Sequence, residues 1–184
     1  MAIDNQGRYA DAQGKSTGLS SIMDRKILKI IRSGADAIVV GASTVRAEGW
    51  NLPAAGLLVV LSTSGDLPWD NCPDRSRVHV LAGDQTTTGI VEVLTDMNID
   101  LILVEGGRSV ARQFAFQQLF DDVCLTIGAN TVAAAEKAAA SALSQLLDVS
   151  ADSYDLVSLR RDEGTPSVFT LWRRAPGMLD GDSH

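Results

Sequence analysis

The amino-acid sequence predicts an α/β fold with three αβα layers, in which a mostly parallel central sheet ends in an antiparallel hairpin. Apolar, strand-like runs alternate with helix-like segments up to about residue 120, as expected for parallel strands joined by helical crossovers. Strands dominate after that point, and two of them flank the turn sequence Asp-Glu-Gly-Thr-Pro at residues 162–166, which is typical of a hairpin. We expect one domain over residues 1–174 and a flexible tail over residues 175–184.

The N-terminal segment predicts a short strand near residues 8–10 and then a helix that begins at Ser20 or Ser21. Ser21 and Asp24 have the spacing of a capping box, although Asp closes it instead of the preferred Glu or Gln. Residues at helical spacing form one apolar face of this helix: Met23, Ile27, Ile30 and Ile31. Gly34 is the expected end of the helix.

Short apolar runs predict the remaining strands at residues 37–40, 57–61, 78–81, 101–104, 123–127, 154–159 and 168–172. Helices are expected near residues 89–96 and over about 109–119. The run of four apolar residues at 101–104 predicts a strand that is covered on both faces. The alanine-rich stretch 132–147 favours a helix by propensity, although its apolar residues form no clear single stripe.

Composition excludes several functional classes. The chain has 184 residues, of which 45% are hydrophobic and 21% charged, and a net charge of −7. This acidic balance disfavours nucleic acid or an anionic membrane as a partner. Two cysteines and two histidines without metal-ligand spacing predict no disulfide framework and no metal site. No secretory signal and no apolar stretch of membrane-spanning length is visible, so we expect a cytoplasmic protein.

The segment that follows the strand at 101–104 is the first candidate ligand site. Glu105, Gly106 and Gly107 lie between this strand and the helix predicted from Ser109. Glycines allow a ligand to approach the backbone closely, and the unpaired N–H groups of a helix N-terminus suit a phosphate or pyrophosphate. The same glycine pair is equally explained as a tight turn between strand and helix, so both interpretations stay open.

A second strand, at 37–40, ends in glycine and then polar residues. If the two strands are neighbours, Thr44, Arg46 and Glu48 would share one crevice with Glu105 and Arg108, since ligands gather at the carboxyl ends of parallel strands. Arg46 and Arg108 are candidates for a phosphate clamp because a guanidinium matches phosphate oxygens. The alternative for each arginine is a solvated surface side chain.

Glu105 is the candidate catalytic residue. Its carboxylate could accept hydrogen bonds from a polar substrate ring or simply cap the N–H groups of the following turn. Arg32 could reach an anionic substrate or interact with the negative end of its own helix, and Ser16 and Thr17 could bind substrate or stabilise turns. No nucleophile–base set is evident. A reaction in which a bound dinucleotide supplies the hydride therefore fits these residues better than covalent hydrolase chemistry.

Three segments then occur in an order that carries a family resemblance. They are Gly14–Ser21 (GKSTGLSS), Ala35–Glu48 (ADAIVVGASTVRAE), and Val104–Gly107 (VEGG) followed by Leu119–Ile127 (LFDDVCLTI). Together they resemble the reductase domain of the bifunctional riboflavin-biosynthesis deaminase/reductase, over about residues 4–173. The resemblance implies a dihydrofolate-reductase-like fold, a homodimer, and NADPH-dependent hydride transfer to the ribose C1 of a phosphoribosylamino-pyrimidine.

The resemblance also implies roles for individual residues. The expected cofactor contacts are Gly18, Thr44, Glu48, Gly106, Gly107, Arg108, Ser109, Val110 and Ala111. The expected substrate contacts are Ser16, Arg32 and Glu105.

The chain departs from the family pattern in ways that leave alternatives open. The segment before residue 14 lacks the family's longer opening strand, and Arg108 stands where the family often has proline. Residues 128–131 and the alanine run replace a stretch containing proline and glycine. Reduction of another pterin- or pyrimidine-like substrate, or nucleotide binding without catalysis, therefore remain alternatives, whereas a methyltransferase-like site fits the motif order poorly. The zinc motif of the deaminase half is absent from this sequence, so we do not expect a bifunctional enzyme.

Overall fold

The structure, a computed structural model, describes residues 2–3, 21–83, 86–105, 107–146, 148 and 150–176. In chain order, its strands and α-helices are β1 (Ala2–Ile3), α1 (Ile22–Gly34), β2 (Ala37–Gly41), α2 (Ala42–Glu48), β3 (Leu57–Ser62), β4 (Val78–Ala82), α3 (Thr87–Asp96), β5 (Ile102–Val104), α4 (Arg108–Phe116), β6 (Asp122–Gly128), α5 (Val132–Leu146), β7 (Tyr154–Arg161) and β8 (Ser167–Arg174). Single-turn 3₁₀ helices lie at Trp69–Asn71, Arg75–Arg77 and Ala151–Ser153. The chain divides into two compact units: the parallel unit, Arg25–Gln117, and the hairpin unit, Met1–Asp24 with Gln118–His184.

The parallel unit is built on a four-stranded sheet in the order β4-β3-β2-β5, with every pair parallel. Its central strands are almost continuous apolar runs, and residues 37–40 and 58–60 are buried. Such runs favour central positions because both faces of a central parallel strand are covered. The core on one side joins Ile38, Val40 and Leu58 to Val45 of α2. This core fixes α2 directly after the carboxyl end of β2.

Strand β5 is less buried than the sequence predicts. Among the described residues it pairs with β2 alone, and its three residues are only half-buried. Leu101, just before the strand, is 56% exposed. The apolar run at 101–104 therefore predicts a strand correctly, but the expected coverage on both faces is wrong, because the three residues of β5 are only half-buried.

The hairpin unit contains a second sheet in the order β1-β6-β8-β7. Strand β1 is parallel to β6, whereas β8 is antiparallel to both β6 and β7. Asp162 organises the turn between β7 and β8, since its carboxylate accepts hydrogen bonds from the Gly164 amide at 3.1 Å and the Thr165 hydroxyl at 2.7 Å. The predicted α/β class and the terminal hairpin are confirmed. The strands are shared between two sheets, whereas the sequence predicts one.

Helix α5 packs against β6 and β8 of this second sheet. Its buried residues are Ala135, Ala139, Ala142 and Leu143, a regular stripe at helical spacing. The expectation that this stretch has no clear single stripe is therefore wrong. Alanine methyl groups supply most of the stripe, so hydrophobic side-chain size was a poor guide to which face is buried.

The ends of α1 are as predicted, but its apolar face is not buried. The Asp24 amide donates to the Ser21 hydroxyl at 3.0 Å, which confirms the N-terminal cap, and the helix ends at Gly34. No residue of α1 is buried, and Ile30 is 71% exposed.

The strand predicted near residues 8–10 and the tail from residue 177 onward lie outside the described residues. The single domain over residues 1–174 stays a prediction.

Two kinds of feature are absent from the described residues. None of their helices has both the length and the apolar character needed to cross a membrane. In the same part of the chain, no three His, Cys, Asp or Glu side chains are grouped closely enough to hold a metal ion.

Gly56 lies just before β3 and close to Asp36, the residue that precedes β2. A substitution at Gly56 therefore tests how closely these two strands approach each other. Its φ is +76°, and a Cβ at this position would overlap the carbonyl oxygen of Asp36, which accepts the Leu57 amide at 3.0 Å. We expect Gly56→Ala to lower the free energy of unfolding by about 2–3 kcal/mol in urea denaturation, because strain and overlap with backbone act together. A Cβ at Gly34 meets nothing within 4 Å, so the Gly34→Ala control should change stability by less than about 0.5 kcal/mol. Equal losses in the two variants would contradict this account.

Candidate active site

The carboxyl ends of β2 and β5 lie side by side in the parallel unit. Val39 of β2 is in register with Val104 of β5, and the Glu105 amide donates to the Val39 carbonyl at 3.0 Å. Helix α2 begins directly after β2, and α4 begins a few residues after β5 ends. The two strands are neighbours, which is the condition on which the shared crevice depends. The polar residues that follow them therefore belong to one edge of the sheet.

Glu105 forms an ion pair with Arg32 at this edge. Arg32 Nη1 lies 3.2 Å from Glu105 Oε2, and each side chain is only 17% exposed. Arg32 Nη2 also donates to the backbone carbonyl of Asn51 at 2.6 Å. The guanidinium is thus held at both of its terminal nitrogens, once by a carboxylate and once by a main-chain carbonyl.

The second carboxylate oxygen of Glu105 is orphaned. Oε1 is buried and has no hydrogen-bond partner among the described residues. An unsatisfied buried acceptor costs about 1–3 kcal/mol, so folded proteins retain few of them, and each one requires an explanation. A donor from a ligand or from a water molecule would complete the hydrogen bonding of Oε1.

Burial raises the pKa of the Glu105 carboxyl above its ordinary value of 4.5. The positive charge of Arg32 opposes this rise, and the negative charge of Glu48 adds to it. Carboxyl groups with raised pKa values cluster at functional sites. The cause here is mainly the loss of water around the charged form, which a donor from a ligand would offset.

This shift predicts how stability depends on pH. Between pH 4.5 and the raised pKa of Glu105, the folded protein holds a proton that the unfolded chain releases. The contribution of Glu105 to stability therefore falls as pH rises through this window and is constant above it. Urea denaturation over about pH 4–8 should show Glu105→Gln gaining stability relative to the unmodified protein as pH rises. The exposed Glu92→Gln control should follow the unmodified protein, and a relative loss for Glu105→Gln would contradict the sign.

Gly107 opens α4 and lies close to Thr44 of α2. It is the exposed N-cap residue of α4, with φ −55° and ψ 169°, and as a glycine it supplies no side-chain cap of its own. A Cβ on Gly107 would lie 3.9 Å from Thr44 Oγ1. The first intrahelical bond runs from the Ala111 amide to the Gly107 carbonyl at 3.2 Å. The amides of residues 108–110 precede that bond at the positive end of the helix.

The structure places the other predicted cofactor residues unequally. Thr44 and Arg108 are half-buried, while Glu48 and Ser109 are exposed. Val110 and Ala111 are buried in the core, and the Ala111 amide already donates to Gly107. Direct donation to a phosphate is therefore better suited to the amides before Ala111 than to Ala111 itself. Predicted residues Ser16, Thr17, Gly18 and Gly106 lie outside the described residues.

Arg46 contacts the backbone of the loop that follows β3. Its Nη1 donates to the carbonyl of Asp66 at 2.9 Å, in the loop after β3. This contact occupies one terminal nitrogen of Arg46, and the interpretation of Arg46 as half of a phosphate clamp with Arg108 stays a prediction. Sequence reasoning also missed Asn51, which acts through its carbonyl, a group that every residue carries and that no sequence signal marks.

Comparison with known proteins places this geometry in a family context. The model of the RibD C-terminal domain matches residues 1–146. No curated protein sequence matches the chain. The sheet edge just described, with its VEGG segment, lies inside the matched region.

Solved structures of similar fold include reductases. One is a protein from Thermotoga maritima that is described as a diaminohydroxyphosphoribosylaminopyrimidine deaminase/5-amino-6-(5-phosphoribosylamino)uracil reductase. Its sequence is 20% identical to this chain, the TM-score is 0.69, and the match covers 95% of this chain and 55% of that chain. A pyrimidine reductase-like protein from Corynebacterium diphtheriae is 21% identical with a TM-score of 0.63, over 89% and 86%. The riboflavin biosynthesis reductase Rib7 of Saccharomyces cerevisiae is 18% identical with a TM-score of 0.58, over 85% and 84%. The chain spans about half of the Thermotoga protein, and these likenesses show a shared fold.

Proposed function

Because the chain belongs to the RibD C-terminal domain family, we propose that it is an NADPH-dependent reductase of the riboflavin pathway type. The proposed substrate is a phosphoribosylamino-pyrimidine, 5-amino-6-(5-phosphoribosylamino)uracil, which would be reduced at C1 of its ribose. The observation that carries the proposal is the meeting of two features at one sheet edge. One is the oxygen of Glu105 that has no partner among the described residues, and the other is the N-terminus of α4, which a glycine opens.

The start of α4 fits the pyrophosphate of a dinucleotide. Gly107 has no side chain to block approach to the backbone, and the amides of residues 108–110 lie at the positive helix end. Thr44 adds a hydroxyl near Gly107. Bound NADPH would supply the hydride. The chain's own task is then to hold the cofactor and to orient the substrate beside it.

Glu105 suits the substrate side of the same edge. A carboxylate accepts hydrogen bonds and donates none, so Oε1 would select a ligand edge that carries N–H or O–H groups. An aminopyrimidine presents such donors, whereas a phosphate at this point would be repelled by the Glu105 charge. The substrate phosphate is therefore expected to lie away from Glu105.

The proposal is tested by following the absorbance of the reduced nicotinamide with the purified protein, NADPH and the pyrimidine. We expect NADPH consumption that matches formation of the ribitylamino product, and weaker activity with NADH. Binding of NADPH is measured separately by tryptophan fluorescence, because Trp50 and Trp69 form a close pair in the parallel unit, with ring centroids 5.0 Å apart. NADPH binding without turnover would contradict the reductase proposal and favour a nucleotide-binding protein. Turnover of another pterin or pyrimidine alone would change the substrate.

We also propose a homodimer in the cytoplasm, acting on a small phosphorylated substrate without nucleic acid or membrane as partner. The family resemblance supports the dimer, and the acidic net charge of −7 supports the absence of nucleic acid or an anionic membrane as a partner. Sedimentation equilibrium measures the oligomeric state. A mass of twice the chain mass is expected, and a monomer at assay concentrations would contradict the proposed dimer.

A further inference from the structure

Gly41, the last residue of β2, lies so close to α4 that no side chain fits between them without a shift. Its φ is −83° and its ψ is 151°, an extended conformation that every residue type can adopt. A Cβ at this position would lie 3.2 Å from Cγ2 of Val110, in the first turn of α4. Carbon atoms in contact are most stable at about 3.5–4.0 Å. Glycine is therefore required here for space and not for its backbone angles.

The same relationship holds in the other direction between the two helices. Gly107 is the N-cap of α4, and a Cβ there would lie 3.9 Å from Oγ1 of Thr44, the third residue of α2. Gly41 is the N-cap of α2, and its neighbour Val110 is the third residue of α4. Each N-cap glycine thus faces the first turn of the other helix. The two first turns lie against each other, with the Thr44 hydroxyl beside the start of α4.

A methyl group at residue 41 would displace α4 and not the sheet. Gly41 is in register with Leu61 of β3, and α2, which follows directly, is held in the core by the buried Val45. Val110 cannot easily turn its side chain away, because one χ1 rotamer dominates for valine in a helix. It must instead give way by a few tenths of an ångström. The amides of residues 108–110 would move with it.

We propose that Gly41 is a positioning residue for the cofactor, because its missing side chain sets how closely the first turn of α4 approaches the Thr44 hydroxyl. The inference rests on the proposed function, since it assumes that this turn holds the pyrophosphate of NADPH. A phosphate bound by the hydroxyl and the amides together needs them at a fixed separation, because hydrogen bonds weaken steeply outside a narrow range of geometry. Gly41 is itself buried and acts through α4 without touching the cofactor.

Titration of NADPH by tryptophan fluorescence tests this role in Gly41→Ala, Val110→Ala and the double variant. Gly41→Ala should raise the Kd for NADPH by about 5–20-fold, since a misplacement of a full ångström costs about 10²-fold. Val110→Ala removes Cγ2, so adding Gly41→Ala in that background should raise the Kd by less than about twofold. Losses that multiply in the double variant would overturn the inference, as would an unchanged Kd in Gly41→Ala. If Gly41→Ala alone does not fold, a double variant that folds with the Kd of Val110→Ala supports the inference, and one that does not fold overturns it.

Steady-state kinetics separate positioning from a general loss of structure. A displaced α4 raises KM for NADPH, while KM for the pyrimidine stays within about twofold. Partial unfolding would instead lower kcat by reducing the amount of active enzyme and leave both KM values unchanged, which would overturn the inference. Gly34→Ala is the matched control, since a Cβ there meets nothing within 4 Å. Its Kd for NADPH should equal that of the unmodified protein.

Failure of the proposed function has a different signature. If the unmodified protein binds NADPH but Gly41→Ala leaves the Kd unchanged, only the role of Gly41 is wrong. If the unmodified protein binds NADPH without reducing the pyrimidine, the reductase proposal is wrong, and the Kd values alone decide the role of Gly41. If it does not bind NADPH at all, both proposals are wrong.

Discussion

Glu105→Gln is expected to lower kcat/KM for the pyrimidine by about 10²–10³-fold while the protein stays folded. The substitution keeps the size of the side chain but removes its charge. The new side-chain amide would orient its oxygen toward the Arg32 guanidinium, which places its NH₂ group where Oε1 now lies. A donor would then face the donor of the substrate ring, so one buried hydrogen bond becomes a repulsive contact.

The free energy of unfolding of Glu105→Gln is expected to stay the same or to increase, so a loss of activity would not come from unfolding. Burial raises the pKa of Glu105 despite Arg32, so the ionised group is less favourable in the folded protein than in water. A neutral side chain of the same size should therefore preserve or increase stability near neutral pH, as is common where a site sacrifices stability for function. Glu92→Gln on the exposed face of α3 is the matched control and should leave kcat/KM unchanged. Full activity of Glu105→Gln would remove Glu105 from the site.

Sequence patterns were reliable where local chemistry decides the structure. Ser21 and Gly34 mark the ends of α1, and the continuous apolar runs of β2 and β3 place them at the centre of a parallel sheet. The sheet edge with Glu105 was predictable for the same reason, because glycines follow two apolar strands. Adjacent parallel strands then bring the residues after them together.

Patterns failed where burial depends on distant neighbours. The run of β5 looks as apolar as β2, yet it has one described neighbour and is half-buried. The contact between Arg32 and Asn51 joins residues that are 19 positions apart through a main-chain carbonyl. No side-chain type reports such a contact. The contact between Arg46 and the Asp66 carbonyl likewise joins distant residues through a main-chain group.

Gly107→Asp should weaken NADPH binding by about 100-fold or more, because it places a carboxylate beside the amides expected to hold the pyrophosphate. Like charges a few ångströms apart with partial exclusion of water repel by about 2–4 kcal/mol. The fold should tolerate the change, since a Cβ on Gly107 comes only to 3.9 Å of Thr44 Oγ1. Aspartate is also a favoured N-cap, so the free protein should become equally or more stable.

Two further substitutions at this residue separate charge from size. Gly107→Asn supplies a neutral N-cap of the same shape, and Gly107→Ala adds only a methyl group. We expect the Kd for NADPH to rise less than about tenfold in the Asn variant and less again in the Ala variant, in contrast to the Asp variant, when all are titrated by tryptophan fluorescence. The loss in the Asp variant should shrink at high salt, because screening weakens charge repulsion but does not change shape. Equal losses in the Asp and Asn variants would mean that bulk at Gly107 blocks the ligand, and an unchanged Kd in the Asp variant would place the pyrophosphate away from α4.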